Sequence, residues 1–271
     1  MVCEAMKNEV RRALTDIERE ENIVVLFAAE SGSRAWGFES ANSDYDVRFV
    51  YLRPIEWYLD ISVEHKRDVI ERPITDDLDL VGWDLRKALK LLAKSNPSIL
   101  EWVSSPLVYQ QKDDFSVAIK TLATSYFSVV SSFYHYFSMA KKNYRGYLQG
   151  DLVRTKKYFY VLRPLLCVRW IVKYGSQPPM LFDRLLNDLL PDGEVRKAID
   201  DLLRLKRSGQ ELDQINKIRV LNDYIELKLQ QLSEGEDLQS RQASSDTALN
   251  ALFLQQLQEY GGFKHAGNNA A

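Results

Sequence analysis

Cysteine is scarce: Cys3 and Cys167 are the only two in 271 residues, and they stand far apart. A disulfide framework is excluded on that count, no Cys/His spacing of the zinc-ligand kind accompanies them, and a reducing cytoplasm is the expected compartment. Histidine is scarcer than its chemistry would need. His65 and His135 have no metal-ligand partner in sequence, and His265 sits close to the end of the chain. No G-x-S-x-G elbow occurs, so a Ser-His-Asp hydrolase finds no support. No apolar run approaches the roughly 18 residues that a membrane span requires. The opening MVCEAMKNEVRRALTDIEREE is amphipathic and heavily charged, without the apolar core of a signal peptide. A soluble protein with no membrane partner is expected. Charge of one sign is missing too: the formal net charge is −2, which gives no overall argument for nucleic acid or a bilayer. No internal repeat is visible.

What is present is one dense segment. Residues 31–46 read SGSRAWGFESANSDYD, with an apolar run at 23–29 before them and a second, VRFVY, directly after. The first run is a buried strand by its pattern. Gly32 and Ser33 follow it where a strand turns into a helix. A glycine lets the backbone approach a phosphate closely, and the leading N–H groups of a helix favour an anion. Asp44 and Asp46 open the second strand, and residues two apart share one face. Two like charges side by side repel, so a divalent cation is the natural offset. Hard carboxylate oxygens beside phosphate oxygens suit Mg²⁺ (or Mn²⁺). Two such ions would activate an attacking oxygen and hold a leaving pyrophosphate. That chemistry wants a third carboxylate on a neighbouring strand. Asp79, flanked by Leu78 and Leu80, is the first candidate, and Asp77, on the same face, is the second. Asp84 reads instead as a helix cap.

Strands are expected at 23–29, 46–52, 67–74 and 78–81, and helices at 3–20, after Pro54, after Asp84 and after Asn96-Pro97. Gly82 reads as the break that ends the last strand. Beyond residue 113 only helices are expected, near 113–146, 151–174, 179–190, 193–207 and 211–232. Strands first and helices later make an α+β chain: a small mixed sheet flanked by helices over residues 1–108, then a helical bundle over 109–232. Residues 233–246 read as a linker, 247–260 as a last helix, and the end as a disordered tail.

The strings GSRAWG and SDYD resemble the DNA polymerase beta-type nucleotidyltransferase superfamily. Longer stretches, SGSRAWGFESANSDYDVRFVYLRP, GWDLRKALKLLAKSNPSILEW and FYHYFSMAKKNYRGYL with KKYFYVLRPLLCVRW, are similar to the bacterial RNA-repair-associated nucleotidyltransferases. The resemblance covers roughly residues 20–190. It implies a nucleotide-transfer core with a helical partner module, Gly32, Ser33, Asp44 and Asp46 in the active site, and work alongside an RNA ligase.

Residues 141–173 hold nine lysines or arginines against one acid, Asp151. By the 3.6-residue period Lys156, Tyr160, Arg163, Cys167, Trp170 and Tyr174 share one face, with Tyr158, Val161, Leu165, Val168 and Val172 opposite as the core stripe. Basic residues among aromatics suit a triphosphate or a nucleic acid strand. A solvated basic face is the blander alternative. Pro164 is expected to kink this helix. The expected activity is Mg²⁺-dependent transfer of a nucleoside monophosphate from an NTP to a hydroxyl, foremost an RNA 3′ end. Arg34, with Lys157 or Arg163 from the second module, would neutralise the phosphates. A protein or small-molecule hydroxyl as acceptor, and a catalytically silent nucleotide- or RNA-binding module, are the alternatives.

Overall fold

In a computed structural model of the chain, residues 2–74, 77–209, 214–235, 238 and 245–262 are described. The architecture is α+β. Strands β1 (Val24–Glu30), β2 (Tyr45–Leu52), β3 (Val69–Glu71), β4 (Leu78–Asp84) and β5 (Val108–Gln111) form one mixed sheet in the order β3-β4-β2-β1-β5. Strand β1 runs antiparallel to β2 and β5, while β2 and β4 run parallel. That parallel pairing sets Asp46 opposite Asp79.

Helix α1 (Glu4–Glu21) covers one face of the sheet with Val10, Leu14 and Ile17, an i, i+4, i+7 stripe. These meet Val25, Val47, Phe49 and Tyr51 in a smaller core. The opposite face, carrying Phe27, Val50 and Leu52, joins a larger apolar core that continues into the helical module. Both faces of β1 are therefore buried, which is why its sequence is a continuous apolar run rather than an alternating one.

After α2 (Gly32–Ala35), Pro54 opens the short helix α3 (Ile55–Tyr58), and α4 (Leu85–Ala93) and α5 (Pro97–Val103) follow.

 
Asp84 caps α4 by accepting from the Arg86 N–H at 2.9 Å, and Asn96 caps α5 by accepting from Ser98 N–H at 2.9 Å. Gly82 lies inside β4 and does not end it. A Cβ there would come within 2.1 Å of the Phe49 ring, which crosses the strand at its register partner, so the glycine serves packing rather than termination. The strand expected at 67–74 is confined to β3.

The helical module comprises α6 (Asp113–Tyr126), α7 (Val129–Tyr147), α8 (Thr155–Tyr174), α9 (Phe182–Leu189), α10 (Glu194–Arg207), α11 (Arg219–Ser233) and α12 (Thr247–Tyr260). The span expected as one helix over 113–146 is two, because Ser128 breaks it and caps α7 through the Ser131 N–H. Two short strands, β6 (Leu152–Val153) and β7 (Ile215–Asn216), pair ahead of α8 and α11. Strand β5 was not expected, and it carries the sheet past residue 108. The last helix, α12, packs back on α4, α6 and β2. Much of the linker expected at 233–246, and the tail from 263 onward, lie outside the described residues.

Helix α8 corrects an expectation. It is the central helix of the module, in contact with α7, α9, α10 and α11. Arg163, Cys167 and Trp170 are buried, and Val172 is exposed, so neither the open basic stripe nor the opposite core stripe runs the helix's length. Only Lys156, Tyr160 and Tyr174 of the six stripe residues reach the surface. The helix continues through Pro164. Proline leaves the Tyr160 carbonyl without its intrahelical donor, and Asn143 Nδ2 replaces that donor at 2.8 Å.

Candidate active site

At its end β1 delivers Glu30, then Ser31, and the chain turns into α2. Gly32 has φ +61°, and a Cβ on it would lie 2.0 Å from Asp46 Oδ2. Glycine is required there twice, by the left-handed backbone and by the closeness of the Asp46 carboxylate. Ser31 N–H donates to the Asp46 carbonyl at 2.8 Å and joins the turn to the start of β2. Arg34 reaches the carbonyls of Ser43 and Asp44, and its guanidinium lies 3.7 Å from the centre of the Tyr45 ring. It thus clamps the loop that presents Asp44.

Asp46 and Asp79 meet through Arg48. One guanidinium nitrogen, Nη2, lies 3.1 Å from Asp46 Oδ1 and 2.8 Å from Asp79 Oδ2. Burial raises the Asp46 pKa; Arg48 opposes the rise, and the charges of Asp79 and Asp44 add to it. Of the two candidates for a third carboxylate, Asp79 is the one opposite Asp46. Asp77 sits at the preceding turn with φ +66°, its carbonyl accepting from Tyr45 N–H at 2.7 Å. Among the described residues no three His, Cys, Asp or Glu side chains converge as a metal cluster. The donors of Asp44, Asp46 and Asp79 are oxygen only, and the repulsion felt by Asp46 is of the kind a hard divalent cation offsets.

Two residues that sequence reasoning passed over hold this arrangement. Arg48 is one; its signal was the alternation that puts it on the same face as Asp46. Glu30 is the other. It is fully buried, its Oε1 accepts from Asp46 N–H at 2.8 Å, and its Oε2 accepts from the Tyr109 hydroxyl. Burial pushes its carboxyl up to about 7. A lone acid closing the run VVLFAAE was the available signal.

A cavity of about 410 Å³ opens over these groups, walled on one side by Gly32, Ser33, Asp44, Asp46 and Arg48, and on the other by Lys156, Tyr160 and Lys206 from the helical module. Packing fixes the two walls together: Phe38 stacks on Phe159 at 4.8 Å, and Phe182 N–H donates to the Trp36 carbonyl at 2.9 Å. Lys157 is not among the residues lining this cavity; its ammonium sits 3.9 Å from the centre of the Tyr147 ring. Arg163 lies in an adjoining cavity of about 240 Å³, paired with Glu101 at 2.8 Å. Burial lifts the Cys167 thiol to about 12, which leaves it a poor nucleophile. Among the described residues no helix is long and apolar enough to cross a membrane.

A family model described as the RNA repair pathway DNA polymerase beta family matches residues 6–255. A protein of Bacillus subtilis (strain 168), described as uncharacterized protein YcgL, is 44% identical over 255 residues, spanning 94% of this chain and 97% of its own length. A solved structure of a nucleotidyltransferase-like protein from Exiguobacterium sibiricum 255-15 is 12% identical. It covers 95% of this chain and 77% of its own, with a TM-score of 0.32, too low to carry an argument about fold.

Proposed function

Because the chain belongs to the RNA repair pathway DNA polymerase beta family, a nucleotidyltransferase family, we propose that it transfers a nucleoside monophosphate from an NTP to a hydroxyl acceptor, most favourably an RNA 3′ end. The acceptor oxygen forms a bond to the α-phosphorus, the bond to the β-phosphate oxygen breaks, and pyrophosphate leaves. The observation that carries the reading is that Gly32, Ser33, Asp44 and Asp46 line one cavity opposite lysines of the second module, with Asp79 the register partner of Asp46.

Asp44, Asp46 and Asp79 would hold Mg²⁺ or Mn²⁺, which supplies charge neutralisation at the phosphates and a more acidic acceptor hydroxyl. The Gly32 backbone and the Ser33 hydroxyl receive the β- and γ-phosphates. Lys156 and Lys206 face them across the cavity and neutralise the leaving pyrophosphate. Arg48 offsets the repulsion between Asp46 and Asp79, and Glu30 fixes the Asp46 backbone. Arg34 acts on this site through the loop that carries Asp44. Lys157, held against the Tyr147 ring outside the cavity, takes no part in the phosphate contacts of this reading. An RNA ligase acting on the same ends is the partner this reading favours.

The test is transfer of α-labelled nucleotide to RNA with Mg²⁺. Asp44→Ala and Asp46→Ala should each lower transfer by at least about a hundredfold, since several kcal/mol of charge stabilisation go with the metal, while circular dichroism shows a folded protein. Undiminished transfer in the double variant would overturn the assignment. Protein and small-molecule acceptors belong in the same screen.

A further inference from the structure

The smaller cavity is chemically unlike the larger one and joins it. Ser31, Trp36, Phe159 and Tyr160 line both, so a single ligand can occupy the two together. The larger cavity carries acids and lysines. In the smaller one the charges are already matched: Glu101 accepts from Arg163 at 2.8 Å, from the Tyr136 hydroxyl at 2.6 Å and from the Trp36 ring N–H at 3.3 Å. A phosphate there would meet a guanidinium that is spoken for, beside a carboxylate that repels it.

One donor in this wall has no partner. Arg163 is 4% exposed, and among the described residues its Nε–H finds no hydrogen-bond partner. A buried donor left unsatisfied is costly and calls for an acceptor. Complementary groups line the same cavity. Asn143 has committed its Nδ2 to the Tyr160 carbonyl, which leaves its Oδ1 to accept. His135 supplies a ring with a donor and an acceptor nitrogen when neutral, and half-burial favours that neutral form. Trp36 lines the cavity too, one face of its ring covered by the Arg163 guanidinium, whose carbon lies 4.3 Å from the ring centre. At about 240 Å³ the space falls below the range of drug-sized pockets and suits one ring system, not a peptide or a strand.

We propose that this smaller cavity is a nucleobase subsite, in which Arg163 Nε–H donates to a ring nitrogen or carbonyl of the base and Trp36 provides the aromatic wall. The proposal rests on the reading of the larger cavity as the phosphate and metal site. It gives Arg163 a role in nucleotide binding through the base. The base has two possible sources, the donor NTP and the terminal nucleotide of the acceptor.

Calorimetric titration of the full chain with Mg²⁺ tests it, using inorganic tripolyphosphate, the four NTPs in α,β-methylene form, and a short RNA with a 3′ hydroxyl. The wild-type chain should bind at least one NTP analogue or the RNA tenfold or more tightly than tripolyphosphate. Ser98→Phe, which fills the cavity from α5, and Arg163→Lys, which keeps a cation for Glu101 but removes the Nε–H, should each weaken that ligand about tenfold. Tripolyphosphate binding should stay within twofold. Loss confined to the NTP analogue assigns the base to the donor, and loss confined to the RNA assigns it to the acceptor; both outcomes support the subsite. Unchanged nucleotide and RNA binding in the variants, or no ligand tighter than tripolyphosphate, overturns it. If Ser98→Phe does not fold, Arg163→Lys decides alone. Failure of tripolyphosphate to bind the wild-type chain would instead count against the phosphate reading, whatever the base-dependent differences show.

Discussion

At Gly32 the backbone and the chemistry make one demand. Gly32→Ala places a methyl group against the Asp46 carboxylate and forces a left-handed alanine. The backbone cost is about 1–2 kcal/mol. The Asp46 side chain is short and must rotate away, so activity should fall well beyond what denaturant unfolding shows; equal losses would mean that Gly32 serves stability alone. Arg48 makes a separate prediction. Arg48→Leu removes the cation between Asp46 and Asp79, so the thermal midpoint without metal should drop, and the gain on adding Mg²⁺ should exceed that of the wild-type chain. A smaller gain would contradict the placing of a cation among these acids. Asp84 offers a pH test away from the site. Burial raises its carboxyl to about 6, despite hydrogen bonds from the Tyr58 hydroxyl at 2.6 Å and Arg86 N–H. A raised folded-state pKa means that the folded chain binds the extra proton. The contribution is therefore present below about pH 4 and is lost as pH rises through about 6, on the order of 3 kcal/mol. Asp84→Asn should flatten that part of the curve, and a wild-type-minus-variant difference that does not fall between pH 4 and 7 would refute the assignment.

Helix α8 shows how an element tolerates a rule it breaks. Asn143 on α7 supplies the donor that Pro164 cannot, so Asn143→Ala should destabilise by about 1–2 kcal/mol by leaving the Tyr160 carbonyl short of a donor. In a Pro164→Ala background the helix closes its own bond, and the Asn143→Ala cost should nearly vanish; a full cost there would refute the pairing. Opposite the phosphate site, Lys156→Met or Lys206→Met should raise the KM for NTP about tenfold, the worth of one charge-assisted hydrogen bond. Much of the fold at this scale was legible. The apolar runs of β1 and β2 and the caps Asp84 and Asn96 follow from local pattern. What was not legible depends on distant chain. Strand β5 is only VYQQ, and it exists because β1 pairs with it. Gly82 looked like a break because the Phe49 ring that needs its space belongs to another strand. Arg163 looked solvent-facing because no local pattern reveals that α7, α9, α10 and α11 surround α8.

Over the whole molecule, the sheet and the helical module share one apolar core, and the candidate site lies where they meet. The acids come from the sheet and the lysines from α8 and α10, so neither half holds the complete arrangement. The part of the site carried by the segment 31–46 was readable from residue type and spacing. Glu30 was not, because its partner Tyr109 lies 79 residues away. The lysine wall needed the packing of Phe38 on Phe159 to bring it over the acids. The most direct measurement is a paired transfer assay in which the full chain, Mg²⁺ and RNA with a 3′ hydroxyl receive NTP labelled at either the α- or the γ-phosphate. The α label should enter the RNA, the γ label should leave as pyrophosphate in equal amount, and both events should disappear in Asp46→Ala. Entry of the γ label into the acceptor, or transfer that survives the loss of Asp46, would contradict the proposed reaction.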